Sequence, residues 1–299
     1  MRGSNASQTT TQDYPRDASG SLTRLGSQTL QYNAQGRIAA ATTAGGSTPA
    51  YSYQYNSSAQ RLLKTDLRTS TTNTATPATE ATLYADDATG STMLGQYSNQ
   101  RSTTSAAPAG ETDSTEVLWL PTASGPMPIG AQINGRLYAI DSDHLNTPRR
   151  LTNAQGQVVW QWLITGYGEV APTTGATGYA FEAPQLGGSS NTSGNAYSEE
   201  VNFKLRYPGQ VWDEETGLSY NLNRYYDGQA GRYVQSDPIG LDGGWNRFGY
   251  VGGDPLNGID PQGLYESSPW LRAFVPGQVP FDQGMTALEN GNYGAAAIS

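Results

Sequence analysis

The chain has 299 residues, with 17 basic and 26 acidic side chains that give a formal net charge of -9. It has no cysteine and one histidine, which excludes a disulfide framework and argues against a zinc site. The acidic balance argues against nucleic-acid binding, and no apolar run approaches the roughly 20 residues that cross a bilayer. The sequence therefore predicts no nucleic-acid partner, no membrane span, no metal and no other cofactor, and its start lacks the apolar centre of a secretory signal.

Residues 1–12 are polar and predict a disordered or artificially added tail. The rest of the chain is rich in glycine and tyrosine, with 36 Gly and with 19 Tyr against 5 Phe. Tyrosine packs its ring on a sheet and keeps its hydroxyl group in water. The composition therefore favours an extended sheet with one wet face.

Short strand-like runs recur, and the turns between them share a form: Asp or Asn, two or three variable positions, Gly, then a strand. The Asp or Asn is expected to accept hydrogen bonds from its own turn, and the Gly to take a positive φ. The repeats predict stacked hairpins in one continuous sheet over residues 13–200, with Ser/Thr/Gly-rich loops at 67–82, 100–115 and 172–200. The turns begin at Asp17, Asn33, Asn56, Asn153, Asp213 and Asp227.

A denser segment, 201–264, contains an internal duplication, because residues 237–241 and 260–264 share the pattern Asp-Pro-x-Gly-Leu. One interpretation is two tight turns, in which Pro presets φ, Asp accepts backbone hydrogens and Gly relaxes the exit. The other is a pair of carboxyl groups brought together, one protonated and one ionised, which is the chemistry of an aspartic protease. Phosphate-loop, zinc-protease and serine-elbow motifs are absent, and the residues alone leave both interpretations open.

The same segment resembles the RHS repeat-associated core domain of bacterial polymorphic toxins and of the C component of insecticidal Tc toxin complexes. Upstream, residues 143–152 resemble the DHLGTPR element of that family, with Asn146 in place of its usual Gly. The resemblance covers roughly residues 13–264. Its matching stretches in the core are 203–210, 212–227, 231–244 and 260–264.

The resemblance implies a mainly β fold. Stacked β-hairpin YD repeats would form a curved sheet, a fragment of a hollow shell, capped by the RHS core at 201–264. Residues 265–299 would be a pre-toxin linker or the start of a truncated toxin region, with a short helix predicted at 282–290.

The resemblance also implies self-cleavage, because the family's core cuts the chain directly after its final DPxGL motif. In this sequence the cut would fall between Leu264 and Tyr265. Asp237 and Asp260 occupy the catalytic aspartate positions, and Arg224 matches an arginine that supports them. The enclosed cargo would be the chain's own C-terminal toxin segment, secreted or delivered from a bacterial cell, with delivery machinery and an immunity protein as further partners.

The rival interpretation is a structural β-repeat surface or adhesion protein whose core folds but does not cut. His144 and the acidic positions 86–87 and 141–143 are interpreted as turn residues, because none has a full set of metal ligands.

Overall fold

The structure is a computed structural model, and the ranges that it describes are 14–68, 78–100, 112–175 and 197–264. The tail at 1–12, the helix predicted at 282–290 and the rest of segment 265–299 lie outside these residues. No helix in the described part of the chain is long and apolar enough to cross a membrane.

The first thirteen strands form one antiparallel sheet in which each strand pairs with the next along the chain. One face of this sheet is buried: along β10, Tyr138 and Ile140 are buried whereas Leu137 and Ala139 are exposed. The mainly β fold class is confirmed. The strands are β1 (Arg24–Leu25), β2 (Gln28–Tyr32), β3 (Ile38–Thr42), β4 (Pro49–Tyr55), β5 (Arg61–Asp66), β6 (Ala78–Tyr84), β7 (Met93–Tyr97), β8 (Ser114–Thr122), β9 (Gly125–Ile133), β10 (Arg136–Ser142), β11 (Pro148–Thr152), β12 (Val158–Gln161) and β13 (Thr173–Thr174).

The turns between these strands have the chemistry that the repeats predict. Asn33 Oδ1 accepts hydrogen bonds from the amides of Gln35 and Arg37, each at 3.0 Å, and Gly36 has a φ of +75°. One side-chain oxygen therefore accepts hydrogen bonds from two main-chain amides of its own turn and stabilises the turn. The same pair of hydrogen bonds is made by Asp17, Asn56, Asp143 and Asn153.

Two of these turns place a residue other than glycine in the left-handed region. Asn146 has a φ of +65°, as expected for a residue type that tolerates this conformation, and its amide donates to Gly125 O at 3.3 Å. Ala59 has a φ of +67°, and its carbonyl oxygen accepts a 2.8 Å hydrogen bond from the Tyr220 hydroxyl. A contact with the core segment thus holds the strained turn in place.

The loops predicted at 67–82 and 100–115 extend too far toward the C-terminus, because strands β6 and β8 begin inside these ranges. Ser/Thr-rich composition is typical of loops, but threonine is β-branched and also favours strands. In β6, Thr79 pairs across the ladder with Thr65, and their hydroxyl oxygens lie 3.1 Å apart.

A second, four-stranded antiparallel sheet lies in the core segment. Every residue of its two central strands is buried, so both faces of this sheet are covered, unlike the large sheet. Short 3-10 turns follow it at Gly240–Gly243 and Val251–Gly253. The strands are β14 (Val211–Asp213), β15 (Leu218–Asn221), β16 (Arg224–Asp227) and β17 (Arg232–Tyr233).

The core segment packs against the buried face of the large sheet through charged as well as aromatic contacts. Arg61 of β5 forms an ion pair with Asp213 of β14, and neither side chain is more than 2% exposed. Lys204 pairs with Glu80 of β6 at 2.5 Å. Removing one partner of such a pair would leave the other charge buried and uncompensated, so the contact between the core segment and the sheet depends on both partners.

Candidate active site

The hairpin of β15 and β16 positions the first predicted site residue. The strands pair Asn221 with Arg224, so a short turn joins them and places the guanidinium group at the end of the small sheet. The Arg224 side chain is only 3% exposed. The first Asp-Pro-x-Gly-Leu turn follows β17, and the second ends at Leu264, the last described residue.

Both Asp-Pro-x-Gly-Leu motifs form turns, but the two aspartates cap them differently. Asp237 Oδ1 accepts from the amide of Ile239 at 3.0 Å, two residues later. Asp260 Oδ1 accepts from the amide of Leu264 at 3.0 Å, four residues later. The turn interpretation of the duplication is therefore confirmed, and it does not exclude the carboxylate pair.

The structure brings the two aspartates together at one arginine. Arg224 Nη2 lies 3.0 Å from Asp237 Oδ2 and 3.2 Å from Asp260 Oδ2. The aspartates are 1% and 2% exposed. Arg224 also binds the second turn directly, since its Nε donates to Gly263 O at 2.5 Å. One guanidinium group thus faces two buried carboxyl groups.

One positive charge cannot fully stabilise two carboxylates away from water. Burial raises the pKa of Asp260 to about 6, although Arg224, the Tyr233 hydroxyl and the Leu264 amide all act to lower it, and the nearby Asp237 raises it further. Burial also raises the pKa of Asp237, against the opposing effect of Arg224. The pair therefore favours one shared proton over two ionised groups.

The final turn reaches this site because glycine lets the backbones approach closely. Gly209 has a φ of +85°, and a Cβ atom there would overlap the carbonyl group of Pro261. Gly243 lies at the other side, where a Cβ atom would overlap Asp237 Oδ2 and lie 3.1 Å from Leu264 O. The carbonyl oxygen of Leu264 and the Asp237 carboxyl group therefore both face Gly243. Tyr265, the other half of the predicted cleavage site, lies outside the described residues.

Sequence reasoning missed two polar residues that complete the site. Tyr233 donates its hydroxyl hydrogen bond to Asp260 Oδ2 at 2.8 Å, and its ring centroid lies 3.7 Å from the Arg224 guanidinium carbon. Asn221 Nδ2 contacts both the Tyr233 hydroxyl, at 2.7 Å, and Asp260 O, at 2.9 Å. Tyr233 lies just ahead of the first aspartate in the motif, but a tyrosine-rich chain gives no reason to single it out.

Of the residues interpreted as turn residues, Asp143 and His144 lie in a turn, whereas Asp141 lies in strand β10, so that part of the prediction is wrong. His144 Nε2 lies 2.9 Å from Leu256 O. Asp143 caps its own turn and pairs with Arg149 at 2.8 Å. Within the four described ranges, no group of three or more His, Asp or Glu side chains is placed to hold a metal ion.

Comparison with known proteins identifies the relatives of this chain. No protein-family model matches it. Over 161 residues it is 34% identical to the toxin protein Tse5 of Pseudomonas aeruginosa. This alignment covers 52% of this chain and 10% of Tse5. Over 67 residues it is 48% identical to the probable deoxyribonuclease RhsA of Dickeya dadantii, covering 22% of this chain and 5% of RhsA. The chain is therefore similar in sequence to RHS-type toxins.

The chain also matches solved structures. It aligns with the crystal structure of TcdB2-TccC3-TEV at a TM-score of 0.57 and 21% identity, covering 83% of this chain and 11% of that one. This likeness shows that the fold is shared. The chain spans only a small part of its curated relatives, between 5% and 39% of their length. These relatives include proteins named as toxins.

Proposed function

We propose that this chain is the C-terminal shell and plug of an RHS toxin, and that its core cuts the chain once, between Leu264 and Tyr265. The observation that carries the proposal is the contact of Arg224 with both Asp237 and Asp260, 3.0 and 3.2 Å away, beside the last described residue. Two carboxyl groups buried around one guanidinium group are not needed to form a surface turn.

The chemistry follows that of paired carboxyl groups. A water oxygen bonds to the carbonyl carbon of Leu264 while the ionised carboxylate takes a water proton. The protonated carboxyl group gives its proton to the carbonyl oxygen. When the tetrahedral intermediate collapses, the C–N bond to Tyr265 breaks, the nitrogen takes the proton held by the first carboxylate, and a hydroxyl group of the intermediate returns a proton to the second. The products are a carboxyl group on Leu264 and an amino group on Tyr265.

The cleavage needs no substrate-binding pocket, because the substrate is part of the same fold. Asp260 holds the amide of Leu264, and Arg224 holds the carbonyl oxygen of Gly263. Intramolecular positioning of this kind replaces binding from solution. The product end can stay in place, so the reaction occurs once per chain.

Encapsulation is the second part of the proposal. The continuous sheet of hairpins would form part of a wall, and the core at 201–264 would close it over the C-terminal toxin segment that cleavage releases. The support is the shared fold with TcdB2-TccC3-TEV and the relationship to the toxin Tse5. Secretion or delivery machinery and an immunity protein are the further partners of such a toxin.

Intact mass under denaturing conditions tests the cleavage. The wild-type chain should give fragments 1–264 and 265–299, whereas Asp237→Asn and Asp260→Asn should each give one full-length species. Asp143→Asn is the matched control, because Asp143 also caps a turn and pairs with an arginine, Arg149, and it should still be cut. A wild-type chain that stays whole would reject the protease and leave the structural β-repeat protein as the function.

A further inference from the structure

The hydrogen-bond direction between Tyr233 and Asp260 is fixed by a third residue. Asn221 Nδ2 lies 2.9 Å from Asp260 O, and a carbonyl oxygen can only accept, so the amide nitrogen must face it. The second hydrogen of that nitrogen points to the Tyr233 hydroxyl oxygen, 2.7 Å away. Tyr233 therefore accepts from Asn221, and its own hydrogen points to Asp260 Oδ2, 2.8 Å away.

The two aspartates consequently accept different sets of hydrogen bonds. Asp260 Oδ2 accepts from Tyr233 and from Arg224 Nη2, and its Oδ1 accepts from the amide of Leu264. A carboxylate offers about four lone-pair sites, so three donors suit the ionised form and leave one site for a water molecule. Asp237 accepts one main-chain hydrogen bond at Oδ1, and its Oδ2 pairs with Arg224 Nη2 at 3.0 Å and faces Gly243, as Leu264 O does.

We infer that Tyr233 is a positioning residue that favours the ionised form of Asp260, so that in the form that reacts the shared proton is on Asp237. The inference rests on the proposed cleavage and assigns its roles. Asp237 is the acid that protonates the carbonyl oxygen of Leu264, and Asp260 is the base that takes the proton from water. The Tyr233 hydroxyl does not touch the reacting atoms and acts through Asp260.

The ring of Tyr233 has a separate role from its hydroxyl group. Its centroid lies 3.7 Å from the Arg224 guanidinium carbon, a cation–π distance that supports the arginine. Phenylalanine keeps this ring, so Tyr233→Phe removes only the hydroxyl group, with its hydrogen bonds to Asp260 and from Asn221. The variant therefore isolates the donor from the packing.

The pH dependence of self-cleavage tests the inference. Newly synthesised chains from cell-free translation are moved into buffers from acid to neutral pH, and the full-length fraction is followed by intact mass. The active form has Asp260 ionised, and its pKa of about 6 places the acid limb of the wild-type rate near that pH. Removing a donor from the ionised form raises its pKa, so Tyr233→Phe should move the acid limb to higher pH by about one unit.

Tyr226→Phe is the matched control. Tyr226 is a buried tyrosine of the same small sheet, its ring centroid lies 6.0 Å from that of Tyr233, and its hydroxyl donates to Tyr167 O at 2.9 Å rather than to an aspartate. The control should keep the wild-type pH profile. Equal profiles for Tyr233→Phe and Tyr226→Phe would overturn the inference while the cleavage itself stands, whereas a wild-type chain that never cuts would overturn the proposed function.

A second measurement decides the case in which Tyr233→Phe does not cut at any pH. In the uncut Asp237→Asn chain, carbon-13 NMR of the aspartate carboxyl groups gives the pKa of Asp260, assigned by its loss in Asp260→Asn. Adding Tyr233→Phe should raise this pKa by about one unit. An unchanged value would mean that the Tyr233 hydroxyl does not stabilise the ionised carboxylate, and the inference would be wrong.

Discussion

Gly263→Ala is expected to leave the chain uncut, whereas Gly240→Ala, the equivalent change in the first Asp-Pro-x-Gly-Leu turn, should cut normally. Both glycines have left-handed backbones, with φ of +67° and +69°, so alanine costs each turn a similar strain of about 1–2 kcal/mol. Their surroundings differ. A Cβ atom at Gly240 meets nothing within 4 Å, but one at Gly263 would overlap the carbonyl oxygen of Asn221.

The overlap at Gly263 lies against main-chain atoms, which cannot rotate away as a side chain can. The final turn must therefore shift, and with it the two hydrogen bonds that hold it to Arg224 and Asp260. Intact mass of the two variants measures the effect, and thermal unfolding checks that both chains fold. Equal cleavage of Gly263→Ala and Gly240→Ala would mean that this close approach is not needed for the reaction.

Asp213→Ala should lower the free energy of unfolding by about 3–5 kcal/mol, because it leaves Arg61 buried without its carboxylate. Arg61 is 1% exposed and lies on β5, while Asp213 is fully buried on β14. The pair joins residues 152 positions apart in the sequence, so its loss weakens the contact between the large sheet and the core segment. Lys64, 3.4 Å from Asp213, would lose a partner as well.

The measurement is urea unfolding in the Asp260→Asn background, where the chain is expected to stay whole. Asp141→Ala is the matched control, because Asp141 pairs with Arg150 at 3.4 Å on the surface, with both side chains more than half exposed. Exposed pairs contribute about 0–1 kcal/mol, so this variant should unfold close to the parent. Similar losses for both variants would show that burial does not strengthen the dependence on the Arg61 pair.

The local turn chemistry was readable in the sequence, because each turn is encoded within five residues. Asn33 and Gly36 specify a hydrogen-bonded, left-handed turn on their own, and the stacked hairpins follow from its repetition. Composition without periodicity predicted a loop at the threonine-rich start of β6, which is a strand. The duplicated motif and the family resemblance singled out Asp237, Asp260 and Arg224.

The tertiary structure alone decided which groups meet at those residues. The sequence could not show that Tyr233 donates to Asp260 Oδ2, or that Leu264 O and Asp237 both face Gly243, because these arrangements depend on how the second turn packs on the small sheet. The same holds for Arg61, which is an ordinary strand arginine until Asp213 reaches it across the packed faces. Turn geometry is a short-range property of a few dihedral angles. The partner of a buried charge is instead set by long-range packing, because packing excludes water and makes one pairing far more favourable than the others.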